Sequence, residues 1–136
     1  MKYYFVKGEV TVNNYCGAFN GVAASDIPCT DKNFAKELVM KNFSFISDEL
    51  VKAGIPMKDV DVSLFCLTPL SGTKATKYFV SGVTQGYSYD TIVMPGVTPS
   101  NKQFYYKLKK AVESALCSPV APFRSIQVHV VTVLGN

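Results

Sequence analysis

The chain contains no tryptophan and one histidine, and only 18% of its 136 residues are charged. A general base needs a nucleophile or substrate within reach and an orienting carboxylate, and His129, set between Val128 and Val130, brings neither by sequence. No catalytic residue is therefore assigned. The glycines form neither a phosphate loop nor a dinucleotide fingerprint. "SGTKAT" has Gly72 and Lys74 but lacks the strand-to-helix setting that cradles phosphate. Asp59 and Asp61, two apart, could share a cation on one side of a strand, but two carboxylates make a weak site, and solvated strand-entry residues explain them more simply. The four cysteines, Cys16, Cys29, Cys66 and Cys117, include no C-x-x-C pair. With no metal or disulfide pattern they read as small buried hydrophobes. No metal and no cofactor are expected.

Long apolar runs are also missing. "YYFV" near the start is interrupted by Lys7 and Glu9, too soon for a signal peptide, and nothing approaches the roughly 18 apolar residues of a membrane span. The expectation is a soluble, cytoplasmic protein without a membrane partner. Low charge leaves apolar surface for a protein partner to cover.

What is present is a core. Of the residues, 48% are hydrophobic, with eight Tyr and nine Phe, which excludes general disorder and suits one domain over residues 1–136. Charge is unevenly placed. Residues 1–72 carry seven Lys against eight acidic residues, whereas residues 73–136 carry seven Lys and Arg against Asp90 and Glu113 alone. Such a basic half can face nucleic acid, although a solvated surface is the simpler account.

"YFVKGEVT" (residues 4–11) is echoed by "YFVSGVT" (residues 78–84). "KYYFVKGEVTV" is β-branched and aromatic, a strand. Asn13 and Asn14 form a turn, and a second strand runs from Tyr15 toward Phe19. Thr30 and Asp31 are candidate caps of one helix carrying Phe34, Leu38, Val39, Phe43, Ile46 and Leu50, which Gly54 ends. "DVDVSLFCL" is a third strand. The second half repeats this order: "TKYFVSGVT", a turn at Gln85–Gly86, "YSYDTIVM", a helix capped by Ser100 and stopped by Pro119 and Pro122, and "SIQVHVVTVL". Gly21, Val22 and Ser25 match Gly96, Val97 and Ser100. Lys32, Phe34 and Leu38 match Lys102, Phe104 and Leu108, and "VDVS" matches "IQVH".

The pattern predicts an α+β fold of two β-β-α-β repeats, about 1–72 and 73–136. Their six strands would form a two-layer, mainly antiparallel sheet with two helices on one face and pseudo-twofold symmetry. Glu9, extra beside Gly8, predicts a β-bulge in the first copy. The other sheet face stays open. Strand alternation places Tyr3, Phe5, Lys7 and Glu9 on it, with Lys77, Phe79 and Ser81, with Asp61, Ser63 and Phe65, and with Gln127, His129 and Val131.

That face supports three function classes. The first is a non-catalytic binding protein whose open face meets a second copy or a protein partner. The second is single-stranded nucleic-acid binding, with bases stacked on Phe5, Phe65 and Phe79 and phosphates held by the basic half. The third is a small-ligand binder or sequestering protein with its pocket at a repeat or subunit seam. On the second helix Lys102, Lys107, Lys109 and Lys110 are interleaved with Tyr105 and Tyr106, a pattern that can grip a phosphate backbone, although a solvated helix face paired with Glu113 explains it first.

Overall fold

The computed structural model describes residues 1–13, 15–116 and 123–136. The expectations placed on Asn14, Cys117, Pro119 and Pro122 lie outside the described residues. The chain is α+β, with strands β1 (Lys2–Val12), β2 (Tyr15–Ser25), β3 (Asp61–Leu70), β4 (Lys77–Thr84), β5 (Tyr87–Val93) and β6 (Ile126–Gly135). The helices are α1 (Phe34–Asn42), α2 (Ser44–Lys52) and α3 (Phe104–Leu116), joined by short 3-10 turns at Met57–Asp59 and Phe123–Ser125. Instead of one six-stranded sheet, the strands form two three-stranded antiparallel sheets, ordered β2-β1-β3 and β5-β4-β6. Two compact units result, Met1–Leu67 and Thr68–Asn136.

In the first unit β1 and β2 pair without a slip from Lys2 opposite Ser25 to Val12 opposite Tyr15. Glu9 stands opposite Ala18, so the β1–β2 ladder holds no bulge there. β2 also continues well past Phe19, to Ser25. Alternation turns Tyr4, Val6, Val10 and Val12 toward one core, where they meet Phe19 and Ala23 of β2, Phe34, Leu38 and Val39 of α1, and Ile46 and Leu50 of α2.

The single helix expected over this stretch is two. Phe43 leaves helical geometry, at φ −119° and ψ 76°, and separates α1 from α2. Its neighbour explains the break. The Asn42 amide donates to the carbonyls of Leu38 (2.7 Å) and Ala24 (3.0 Å), and its oxygen accepts from Ala24 N–H at 3.0 Å, which ties the end of α1 to β2. Phe43 still buries its ring 5.1 Å from that of Phe19, so the apolar spacing passes through the break unaltered. Asn42→Ala would strip Ala24 of both side-chain partners. The expected cost is about 2 kcal/mol, seen in urea unfolding as a lower midpoint at unchanged slope, with Asn42→Asp intermediate because it keeps the acceptor.

The second unit is built alike. Tyr78 and Val80 of β4, Tyr89 and Val93 of β5, and Ile126, Val128 and Val131 of β6 are buried with Phe104, Leu108 and Val112, and α3 packs on β5 and β6. Gln85, at φ 48°, and Gly86, at φ 85°, make the turn of the β4–β5 hairpin. Both first helices start through the same device. Asp31 accepts from the N–H of Asn33, and Asn101 from that of Gln103, each at 2.8 Å. The N-cap of α1 is Asn33, which makes no side-chain capping bond, so neither Thr30 nor Asp31 is its cap. Ser100 pairs its hydroxyl with that of Thr98.

The β4–β6 ladder slips twice, once at Leu134, between Gly135 opposite Lys77 and Val133 opposite Tyr78, and once at a bulge nearer the middle of β6. Ser81 pairs with Val130 and Gly82 with Val128, so His129 stands opposite no residue of β4. The Gln127 carbonyl next to the bulge accepts a hydrogen bond from the Tyr89 hydroxyl at 2.9 Å. Gly82 makes this possible, because a Cβ there would lie 1.8 Å from the Gln127 oxygen and 2.9 Å from the Tyr89 hydroxyl. Gly8 has the same role in the first unit, where a Cβ would meet the Ser63 carbonyl at 2.1 Å and the Phe19 ring at 2.8 Å.

Candidate binding face

The face of the second sheet turned away from α3 is set by strand alternation and the bulge. On β4 it carries Lys77, Phe79, Ser81 and Val83. The ladders then place Ile92 and Thr132 on either side of Phe79, Asp90 and Val130 beside Ser81, and Ser88 and Gln127 beside Val83. The centre is apolar: Ile92 is 59% exposed, Val130 39%, and Phe79 half-buried. Leu134 and Met94 extend it toward Lys77, which is exposed. Ser81, Ser88, Asp90 and Gln127 form a polar side to the same surface.

The strand parity expected for β6 holds only as far as the bulge. Gln127 is exposed and His129 half-buried, but Val131 is fully buried and Val130 takes its place on the outer face. One inserted residue in a strand reverses every side chain after it.

The other expected face residues belong to the first unit. Tyr3 and Lys7 are half-buried. Phe65 is 62% exposed, with Ser63 and Leu67 exposed along the same side of β3. Phe5 departs from expectation: it has the parity opposite to Tyr4 and Val6, yet its exposure is 0%. A ring on the middle strand of a sheet is an apolar surface whose burial is favourable, and once buried it offers no face to a base. Sequence parity shows which side a residue takes but does not show what covers that side.

On α3 the expected basic residues gather around a ring that sequence reading passed over, Phe123. The Lys109 and Lys110 ammoniums each lie 4.8 Å from its centroid; Lys109 also lies 5.8 Å from the Tyr105 ring centroid and Lys110 5.9 Å from that of Tyr106. The Tyr106 and Phe123 rings are 5.2 Å apart. Glu113 fixes the cluster, with one oxygen 3.4 Å from Lys110 and the other accepting from Phe123 N–H at 2.8 Å. Burial lowers the Lys109 pKa and raises that of Tyr105. Lys102 precedes α3 and is exposed, and Lys107 is half-buried. Ile92, Val130 and Phe123 are the residues that sequence reading missed. Phe123 carried no signal, because its contacts depend on the chain returning to α3.

The remaining candidates are dispersed. Cys16 and Cys29 are exposed and Cys66 half-buried, none in a disulfide, so these three described cysteines are not the buried hydrophobes expected. Cys16 falls on the outer parity of β2, 3.7 Å from a Glu9 oxygen, and Cys29 lies in the loop before α1. Asp59 belongs to a 3-10 turn and Asp61 opens β3, so they are not neighbours on one strand. Among the described residues no group of three His, Cys, Asp or Glu could hold a metal, and no helix is long and apolar enough to cross a membrane. In the first unit Asn33, Lys36, Glu37, Met40, Lys41, Met57 and Lys58 line an open groove of about 470 Å³, where Lys36 donates to the Met57 carbonyl at 3.3 Å. No protein-family model matches this chain, and no curated protein or solved structure matches it either.

Proposed function

We propose that the chain is a non-catalytic binding protein that docks another protein surface, in the first instance a second copy of itself, on the outer face of the β5-β4-β6 sheet. The observation that carries this reading is the contiguous apolar patch of Ile92, Phe79 and Val130 with its polar side. Interfaces concentrate their energy in such a centre, where water is excluded, and use polar surroundings for register. An apolar sheet face is otherwise a liability in water.

We further infer that the two units descend from one duplicated β-β-α-β element. Supporting this are the shared strand order, the paired glycines Gly8 and Gly82, the shared turns at Asp31 and Asn101, and two ring pairs of matching geometry. Tyr4 and Phe34 meet edge-on at 5.4 Å and 76°, and Tyr78 and Phe104 at 5.4 Å and 75°. The second copy would then have kept the frame and changed the outer residues.

Ile92 and Val130 are exposed, so charged replacements leave the fold intact and act on association alone. Light scattering over a concentration series is expected to show the wild-type chain passing to a heavier species. Ile92→Glu with Val130→Glu should weaken that step by about tenfold or more, while far-ultraviolet circular dichroism stays the same. The reading fails if the wild type remains a single chain at every concentration and a photocrosslinker placed at position 92 gives no protein adduct in an extract of the native host.

A further inference from the structure

We propose that the outer face of α3 is a second, separate site, one that binds single-stranded nucleic acid by stacking a base on Tyr106 and holding phosphates with Lys107, Lys110 and Arg124. Charge is the first ground. Between residues 101 and 125 the chain carries Lys102, Lys107, Lys109, Lys110 and Arg124 against Glu113 alone, a formal +4, the same as the net charge of the whole chain. The rest of the protein is neutral in sum. A cationic field confined to one helix and the turn beside it selects a polyanion and speeds its encounter.

The second ground is arrangement. Gln103, Tyr106, Lys110 and Ser114 are exposed and Lys107 half-buried, at the spacing of one helix face, while Phe104, Leu108 and Val112 face the core. Tyr106 is 52% exposed, next to Lys107 in the chain and with the Lys110 ammonium 5.9 Å from its ring centroid. A ring with lysines nearby suits a stacked base with its phosphates alongside, and stacking accepts every base. A bare phosphate polymer would leave the ring unused.

The third ground is preorganisation. Phe123 backs Tyr106 at 5.2 Å and is itself held by the Glu113 carboxylate, so the platform is in place before a ligand arrives. Glu113 offsets one of the two ammoniums near the Phe123 ring. Among the described residues Lys109 has no carboxylate partner, and its lowered pKa shows that its charge is incompletely solvated.

The test is fluorescence anisotropy of a labelled oligothymidylate with the full chain. Three phosphate contacts predict a slope of about −2 for log affinity against log salt, hence roughly twentyfold weaker binding between about 50 and about 200 mM salt. Tyr106→Ala should weaken binding roughly tenfold at an unchanged slope, and Tyr106→Phe should retain it. Lys107→Gln with Lys110→Gln should instead flatten the slope. Absence of binding at low salt overturns the proposal. It is equally overturned if Tyr106→Ala binds as the wild type does, or if polyphosphate of equal charge competes as well as the oligonucleotide, since either result reduces the site to charge alone.

Discussion

Gly82→Ala is expected to cost the protein about 3 kcal/mol, more than a hundredfold in the folded-to-unfolded ratio, for the addition of one methyl group. Overpacking ordinarily costs 1 to about 3 kcal/mol, because neighbours give way. Here the new Cβ would stand 1.8 Å from the Gln127 carbonyl oxygen, an atom of a strand hydrogen-bonded to β4 itself. Relief requires β6 to lift at its bulge. The same methyl would crowd the Tyr89 hydroxyl and break its bond to that carbonyl, leaving a polar group without its partner. Gly86 is the control. Unlike Gly82 it has positive φ, but a Cβ there meets nothing within 4 Å, so Gly86→Ala should cost only about 1 kcal/mol of backbone strain. Urea unfolding measures both. A Gly82→Ala chain no less stable than Gly86→Ala would show that β6 is not held against β4 in this way.

A second readout of the same substitution comes from alkaline titration. Burial pushes the Tyr89 pKa up to about 12. The folded state thus favours the neutral hydroxyl, and its contribution is fully present below the ordinary tyrosine pKa of about 10 and is lost as pH rises through about 12. In Gly82→Ala, with the ring displaced from its carbonyl, the tyrosinate absorbance assigned to Tyr89 should move toward the ordinary value. Tyr89→Phe identifies that component in the spectrum.

Much of this frame was legible because local chemistry and tertiary need agree. "YFVKGEVT" and "YFVSGVT" are strands at the centres of their sheets, and in each the glycine sits where another strand's carbonyl comes closest. What the repeat concealed was the register. The "GEVT" and "GVT" stretches suggested one inserted residue, whereas the β1–β2 ladder is continuous and extends beyond the Gly8–Phe19 pair by four rungs, against two beyond Gly82–Tyr89. A bulge lies in "VHVV" of β6. There the apolar alternation of Ile126 and Val128 changes phase before Val131 and Val133, a clue present in the residues but read as continuous. The break after Asn42 was not legible, since spacing reports the face of a helix and Phe43 keeps to that face while leaving the helix. Phe5 has the parity opposite to Tyr4 and Val6, and strand alternation alone carries no sign of its complete burial.

Phe104→Ala is the other large effect. The ring is almost wholly buried, meets Tyr78 edge-on and anchors α3 to its sheet, so truncation loses both transfer energy and packing, together about 3 to 5 kcal/mol. Against a typical stability of about 5 to 15 kcal/mol this leaves a marginal fold. Phe104→Leu fills most of the space and should cost under half as much. The ring-on-ring part is separable by a double-mutant cycle with Tyr78→Leu, where about 0.5 to 1.5 kcal/mol of coupling is expected. The corresponding cycle for Tyr4 and Phe34 should give the same coupling, because the two pairs match in distance and angle. The tyrosine hydroxyls should differ. Tyr78 donates to the Ser71 carbonyl at 3.0 Å, so Tyr78→Phe should cost about 1 kcal/mol, whereas no hydrogen bond holds the Tyr4 hydroxyl among the described residues and Tyr4→Phe should be close to neutral. Unequal ring couplings would mean that the two pairs merely share a geometry, and that each unit settled its own core independently.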